Sequence, residues 1–375
     1  MIYLDHNATT PVDPDVFAAM APYLSRAYGN PSSGYPLGRA ARNAVETARS
    51  QVAGLLGCKP EEIVFTSGGT ESNNTILKGV ARTYRKRGKH ILTTAIEHPA
   101  VTQPCLFLME QGYDTTFVHV DCDCRINAAD VQQAIRKETI LISVMHANNE
   151  TGVIQPIEEI GKTARREGIL LHTDAAQSAG KIPVDVSKMH VDFASIAGHK
   201  LYAPKGVGAF YMREGIHIEP LMHGAGQESG RRAGTESVAL AVALGTACDL
   251  AAKRLMEDVH RILLLRDRLY ELLAAKIPEL TINGDPESRL PNTLNVSFPH
   301  VDGARLLDAV PEIAASTGAA CHDRSVTLSP VLAAMNVSKE IGRGAVRLTL
   351  GRENSTEEID KAAEMIIAAY AQLRS

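Results

Sequence analysis

Three short polar stretches of this 375-residue chain carry side chains with reactive potential, and each follows a run that reads as a β-strand. The first is Phe65-Thr-Ser-Gly-Gly-Thr-Glu-Ser-Asn-Asn74, which opens a helical pattern. The first N–H groups of a helix lack partners and sit at the positive end of its dipole, so they attract an anion. Gly68 and Gly69 let the backbone come close to such an anion, and Thr70 adds a hydroxyl. A capped helix start without a ligand fits the same residues. No Gly-Lys-Ser/Thr follows, so the loop is not a nucleotide P-loop. The second stretch, Leu170-Leu-His-Thr-Asp-Ala-Ala-Gln177, ends an apolar strand in Asp174. A carboxylate there can keep a cofactor's ring nitrogen protonated, and Gln177 can reach a ring hydroxyl. Alternatively, Asp174 caps the next helix. The third, Asp192-Phe-Ala-Ser-Ile-Ala-Gly-His-Lys200, ends in a lysine. Burial lowers an amine's pKa and frees it to act as nucleophile and base, unless Lys200 is merely a surface lysine. Anion cup, carboxylate and amine converge on one cofactor with a phosphate, a ring nitrogen and a carbonyl.

The elements that must position these groups read as an α/β fold. Expected strands are Ile63–Phe65, His90–Thr94, Thr115–His119, Ile140–Met145, Leu170–Thr173, Asp192–Ile196 and Val207–Tyr211. Helical patterns at Glu71–Arg87, Ala100–Gln111, Asn127–Arg136 and Ile157–Glu167 separate several of them, which predicts a mostly parallel sheet covered on both faces. From Thr235 to Ala275 the pattern is helical, as one long bent helix or several. Further strands are expected near Thr293–Phe298, Glu312–Ser316 and Ala345–Leu350, with helices near Gly303–Ala309, Pro330–Met335 and Thr356–Leu373. The expected division is a large domain over 12–250 and a smaller α/β domain from 1–11 and 251–375.

Hydrophobic residues make up 45% and charged residues 22%, with a net charge of −4. That balance is globular and gives no reason to expect direct binding to nucleic acid or to an anionic membrane. No apolar run is long enough to span a bilayer, and the first residues lack a signal-peptide pattern, so the expected location is cytoplasmic. Six cysteines are scattered along the chain. Cys122 and Cys124 suggest a metal site, but no second pair with ligand spacing completes it; they read as a surface loop, and no metal is expected. Cys58, Cys105 and Cys248 read as packing residues.

Taken with Asp5-His-Asn-Ala-Thr-Thr10, Glu97-His-Pro-Ala100, His146-Ala-Asn-Asn-Glu150, Gly230-Arg-Arg-Ala-Gly-Thr-Glu236 and Ala345-Val-Arg-Leu-Thr-Leu-Gly351, the three stretches resemble the cysteine desulfurases and selenocysteine lyases. These are class V aminotransferase-fold enzymes, of fold type I, that use pyridoxal 5'-phosphate. The matches run in family order from residue 5 to residue 351. The resemblance implies that Lys200 binds the cofactor covalently, that His98 stacks on its ring and helps move protons, and that Asp174 pairs with the ring nitrogen. Gln177 and Asn148 would approach the ring oxygen. Gly69, Thr70 and His199 would hold the phosphate, with Thr235 reaching it from the partner subunit of a homodimer. Arg347 would grip the substrate carboxylate as a two-pronged fork, with Asn148 beside it.

The resemblance also gives meaning to Gly318-Ala-Ala-Cys-His-Asp-Arg324. Small residues before Cys321 give it access, and His322 and Arg324 favour thiolate over thiol. In the family a cysteine in this loop takes sulfur from the substrate. The implied reaction converts L-cysteine to L-alanine and leaves a persulfide on Cys321, for iron–sulfur cluster assembly or tRNA thiolation through an acceptor or scaffold protein. A selenocysteine lyase acting on L-selenocysteine is the alternative, and another class V aminotransferase or an inactive scaffold is a third. The chain departs from the family pattern at Ala197, where a serine is usual, which removes one hydroxyl contact to the phosphate.

Overall fold

The computed structural model describes residues 1–317 and 328–374. Among them twelve strands follow in chain order: β1 (Ile2–Tyr3), β2 (Ile63–Thr66), β3 (His90–Thr94), β4 (Asp114–Val118), β5 (Thr139–Ser143), β6 (Leu170–Asp174), β7 (Phe193–Ala197), β8 (Gly208–Met212), β9 (Thr281–Ile282), β10 (Thr293–Ser297), β11 (Ile313–Ala314) and β12 (Ala345–Thr349). Seven of them form one sheet in the order β2-β8-β7-β6-β5-β3-β4. The β3–β4, β3–β5, β5–β6 and β6–β7 pairs are parallel, and β8 runs antiparallel to both of its neighbours. All seven strands expected for this sheet are present within two residues of their predicted ends. The reason is burial. β5, β6 and β7 are buried along their whole length, so each is rich in apolar residues that are visible in sequence, although β6 turns polar at His172, Thr173 and Asp174.

Two apolar clusters cover the faces of this sheet. A third cluster joins Ile2 and Leu4 to residues of β10, β12 and the C-terminal helix Thr356–Arg374. Val331, Leu332, Met335 and Ala345 pack into the first of the sheet clusters. The helical stretch after Thr235 is a single helix, Val238–Ala274, of 37 residues. At 1.5 Å per residue it is about 55 Å long. Its first half, through Ala251, buries against a sheet cluster, and its second half, from Ile262, buries against the third cluster.

Some expectations need correction. The strand expected over Glu312–Ser316 contracts to the two residues Ile313–Ala314, paired in parallel with β1. The Cys122–Cys124 segment is only half a surface loop. Cys122 is exposed, but Cys124 takes a left-handed turn (φ 65°) and is buried in a sheet cluster, with its thiol pushed up to about 12 by burial. Among the described residues no group of metal-ligating side chains is assembled.

One buried ion pair fixes the loop that precedes the long helix. Arg49 donates two hydrogen bonds of 2.8 Å to the two oxygens of Glu228. Glu228 also accepts from the backbone N–H of Phe65, and Arg49 from its side donates to the carbonyl of Ile63. The pair thereby ties the 227–236 loop to β2, and it holds Glu228 in a left-handed conformation (φ 47°). Removing one member of a buried, bidentate pair strands the other charge, so Glu228→Ala should cost about 3–5 kcal/mol of stability. A shift in the urea midpoint indistinguishable from wild type would show that the pair is not structural.

Candidate active site

The site assembles at the carboxyl ends of the parallel strands, where open α/β sheets bind ligands. Strand β2 leads into the anion cup. Gly68 has a φ of 151°, outside the range of ordinary side chains, and Gly69 starts the helix Gly69–Tyr84. A Cβ added at Gly208 on β8 would lie 2.6 Å from Gly68 Cα, so that glycine lets the cup sit against the sheet. A Cβ at Gly68 would meet nothing within 4 Å, which leaves the cup open. Its rim is braced by Glu71, which accepts from the Ser67 N–H at 2.7 Å and from Arg232 at 2.8 Å. Thr70 is exposed at the cup, and Thr235, also exposed, lines a cleft with Thr66, Ser67 and Arg232. Ala197 lies beneath the cup, with its Cβ 3.5 Å from where a Cβ of Gly69 would be.

Asp174 ends β6 and Lys200 lies three residues beyond β7, on adjacent parallel strands. The carboxylate of Asp174 is buried, accepting from Asn73 Nδ2 at 2.7 Å and from the Ala176 N–H at 2.9 Å. It therefore caps the following turn, as its alternative reading holds, and also faces the cluster. Lys200 Nζ donates to the carbonyls of Asn7 and Ala8, the latter at 2.7 Å. Burial, and then the Arg347 charge, lower its pKa to about 8, against the weaker pull of Asp5 and Asp174. Its amine is thus partly unprotonated near neutral pH.

Two histidines flank the lysine. His98 accepts from the Ala100 N–H through Nδ1 at 3.0 Å, capping the helix Pro99–Glu110. That bond fixes the tautomer of a neutral ring with its proton on Nε2. Burial lowers its pKa, with Asp174 opposing and Lys200 adding to the effect. His199 lies 3.3 Å from Thr9 Oγ1, and burial followed by nearby lysines lowers its pKa to about 4, so it is neutral at physiological pH. Behind them Glu97 is buried, accepting from Thr94 Oγ1 and the Met145 N–H, and burial pushes its pKa up to about 8.

Gln177 donates to the Asn7 carbonyl at 3.0 Å. Asn148 is fully buried, and its oxygen accepts from the N–H groups of Glu150 and Thr151 while its amide donates to the Ile96 carbonyl. It shapes the turn after His146. Arg347, on β12, ion-pairs with Asp5 at 2.7 Å and donates to the Asn149 carbonyl at 3.0 Å. Its Nε is buried and has no partner among the described residues. The guanidinium is therefore presented as a fork, with one acidic partner that an incoming carboxylate could displace.

Cys321, with His322 and Arg324, lies outside the described residues. The flanks are anchored at the site: Ser316 pairs backbone to backbone with Arg347, and the Ser329 hydroxyl donates to the buried Glu150 carboxylate. Sequence reasoning gave no roles to Asp5, Asn7, Glu97, Glu150 or Lys181. The first four lie inside motifs that were visible, whereas Lys181 carries no signal beyond standing four residues after Gln177.

These side chains fit a cofactor with an aldehyde, a ring nitrogen and a phosphate. Among the described residues the amine has no carboxylate partner within ion-pair distance, a buried carboxylate lies on the next strand, and an open helix start lies beside both. In the ligand-free protein, acylation of Lys200 should show a pH midpoint near 8. Arg347→Gln should move that midpoint upward, toward the ordinary lysine value. Peptide mass spectrometry across a pH series reads both; a wild-type midpoint above 10 would place the amine in ordinary solvent.

The class-V aminotransferase family model matches residues 2–362. A cysteine desulfurase IscS of Methanosarcina thermophila is 46% identical, covering all of this chain and 93% of that protein. A cysteine desulfurase of Mus musculus is 45% identical over all of this chain and 82% of its own length. A solved NifS-like protein superposes with a TM-score of 0.93 at 38% identity, over 99% of this chain and all of that one.

Proposed function

The chain belongs to the class-V aminotransferase family, and from that premise we propose that it is a pyridoxal 5'-phosphate-dependent cysteine desulfurase, converting L-cysteine to L-alanine with transfer of sulfur to Cys321. The observation that carries the reading is Lys200: an amine with a pKa near 8, held by two main-chain carbonyls beside the buried Asp174 carboxylate. The full-length relatives named as cysteine desulfurases point to the same substrate.

Bound pyridoxal phosphate supplies a reactive aldehyde and a ring that accepts electrons. The chain's residues supply the rest. Lys200 would hold the cofactor through its amine and serve as the base for the substrate Cα proton. Asp174 would keep a proton at the ring nitrogen. Gly69, Thr70 and the neutral His199 would hold the phosphate, with Gln177 and Asn148 toward the ring oxygen. His98, with its proton on Nε2, would stack on the ring and help move protons beside it. Arg347 exchanges Asp5 for the substrate carboxylate. Cys321 attacks the substrate sulfur: a new S–S bond forms as the Cβ–S bond breaks, and the substrate carbon skeleton, gaining the thiol proton, leaves as alanine.

The reading includes a small domain of 1–11 and 251–375 set against a large domain of 12–250. It also includes a two-fold dimer in which Thr235 reaches the neighbour's phosphate. Phe17 and Leu24, seven residues apart on the helix Pro14–Ser25, and the following Tyr28 and Tyr35 are exposed apolar surface that a second copy would cover. An acceptor or scaffold protein would take the persulfide onward, to iron–sulfur or tRNA-thiolation chemistry in the cytoplasm.

Purified protein should carry a visible absorbance band from bound cofactor, and Lys200→Ala should lose it; a colourless wild type that takes up no pyridoxal phosphate overturns the reading. Cys321→Ala should keep the band yet form no alanine from cysteine, and a brief cysteine pulse should add sulfur to Cys321 alone. Selenide departs more easily than sulfide, so the same variant should retain turnover of selenocysteine. Wild-type turnover of cysteine by Cys321→Ala would rule out the persulfide route.

A further inference from the structure

Lys181 stands in the loop after β6 and takes no part in the chemistry proposed above. Its ammonium has no carboxylate within ion-pair distance among the described residues. Instead Nζ donates to Gln177 Oε1 at 2.9 Å and to Asn7 Oδ1 at 3.0 Å. Burial, and the nearby charges of Lys200 and Arg347, make this an unfavourable place for a cation. Two amide oxygens do little to neutralise it, which argues against a role in stability and for one in geometry.

Both partners lead to the site. A carboxamide is ambiguous, because oxygen and nitrogen exchange places on a half-turn about the last bond. Donation from Lys181 to Gln177 Oε1 removes that ambiguity and turns Nε2 toward the Asn7 carbonyl, which it meets at 3.0 Å. Asn7 is fixed in the same way. Its Oδ1 accepts from Lys181 and from Asn292 Nδ2, and its Nδ2 donates to Thr293 Oγ1 and the Asn149 carbonyl. The carbonyl of this same Asn7 receives the Lys200 amine.

We propose that Lys181 is a positioning residue that locks the Gln177 and Asn7 carboxamides in one orientation, so that Gln177 presents an N–H, rather than an oxygen, to the cofactor beside Lys200. The inference rests on the function proposed above and concerns how firmly the cofactor is held. Gln177 with its amide reversed would set an oxygen against the cofactor's ring oxygen, which is repulsive.

The test measures cofactor release from the holoenzyme, as decay of the visible band after dilution into buffer with a phosphatase that consumes free pyridoxal phosphate. Lys181→Met should release it roughly 10-fold faster, the order expected when a buried hydrogen-bond donor is lost and its acceptors are left unpaired. Lys181→Arg keeps the donors, and the cavity of about 30 Å³ lined by Lys181, His6 and Tyr202 gives the larger head room; it should release at close to the wild-type rate. In a Gln177→Leu background Lys181→Met should have little further effect, because the two act through one amide. Equal release by wild type and Lys181→Met, equal loss in the Met and Arg variants, or full additivity with Gln177→Leu would each overturn the inference. A Lys181→Met chain that does not fold would overturn it too, since the role would then be structural. A wild type without the visible band would instead sink the function on which the inference rests.

Discussion

The lysine amine just beyond β7 is held, among the described residues, by main-chain carbonyls and not by a carboxylate, and the rest of the site is arranged around that choice. A carboxylate partner would stabilise the ammonium and raise its pKa. Carbonyls of Asn7 and Ala8 fix the position of Nζ without a full opposing charge, so burial and the Arg347 guanidinium can pull the amine down to about 8. Asn7 can serve this way because every other polar group on it is already bonded. Its N–H donates to Thr349 Oγ1 on β12, and its side chain reaches Lys181, Asn292, Thr293 and the Asn149 carbonyl. One residue near the N-terminus thus connects β10, β12 and the loop after β6 to the reactive amine.

The electrostatics around it follow from burial more than from pairing. His98 and His199 are held neutral, Glu97 carries a pKa pushed up to about 8, and Glu150 one pushed up to about 6, each chiefly by burial. Neutral histidines and a protonated acid leave the positive field of Arg347 and the lysines largely uncancelled, which suits a site that takes a phosphate and a substrate carboxylate. Asp5 is the counterweight: it occupies Arg347 until an anionic ligand competes for the same fork.

Much of this was legible in the sequence because it is local. Buried parallel strands are rich in apolar residues, and reactive groups in such folds sit where those runs stop, so Asp174, Lys200 and the Gly68–Gly69 cup stood out by position, and their convergence pointed to one cofactor. The helices Pro14–Ser25 and Pro36–Leu56 were not read, and β9, at two residues, is too short to leave a pattern. Whether the stretch after Thr235 is one helix was also undecided, since its two halves bury against different clusters and no single stripe runs its length.

Sequence alone therefore determined the type of fold, since that depends on residue types and on short-range periodicity, and its motifs, through the family they resemble, named the cofactor and the residues proposed to hold it. Tertiary structure decided what surrounds them. The turn at Cys124, polar in sequence, is drawn into the core by a left-handed backbone. The pairing of Asp5 with Arg347, the Asn7 carbonyl on Lys200 and the bond from Lys181 to Asn7 each join residues far apart in the chain, in one case from opposite ends. Such contacts leave no spacing to read. They arise only when β1 and β12 are drawn into a common cluster, and burial is the main cause of the shift in the amine.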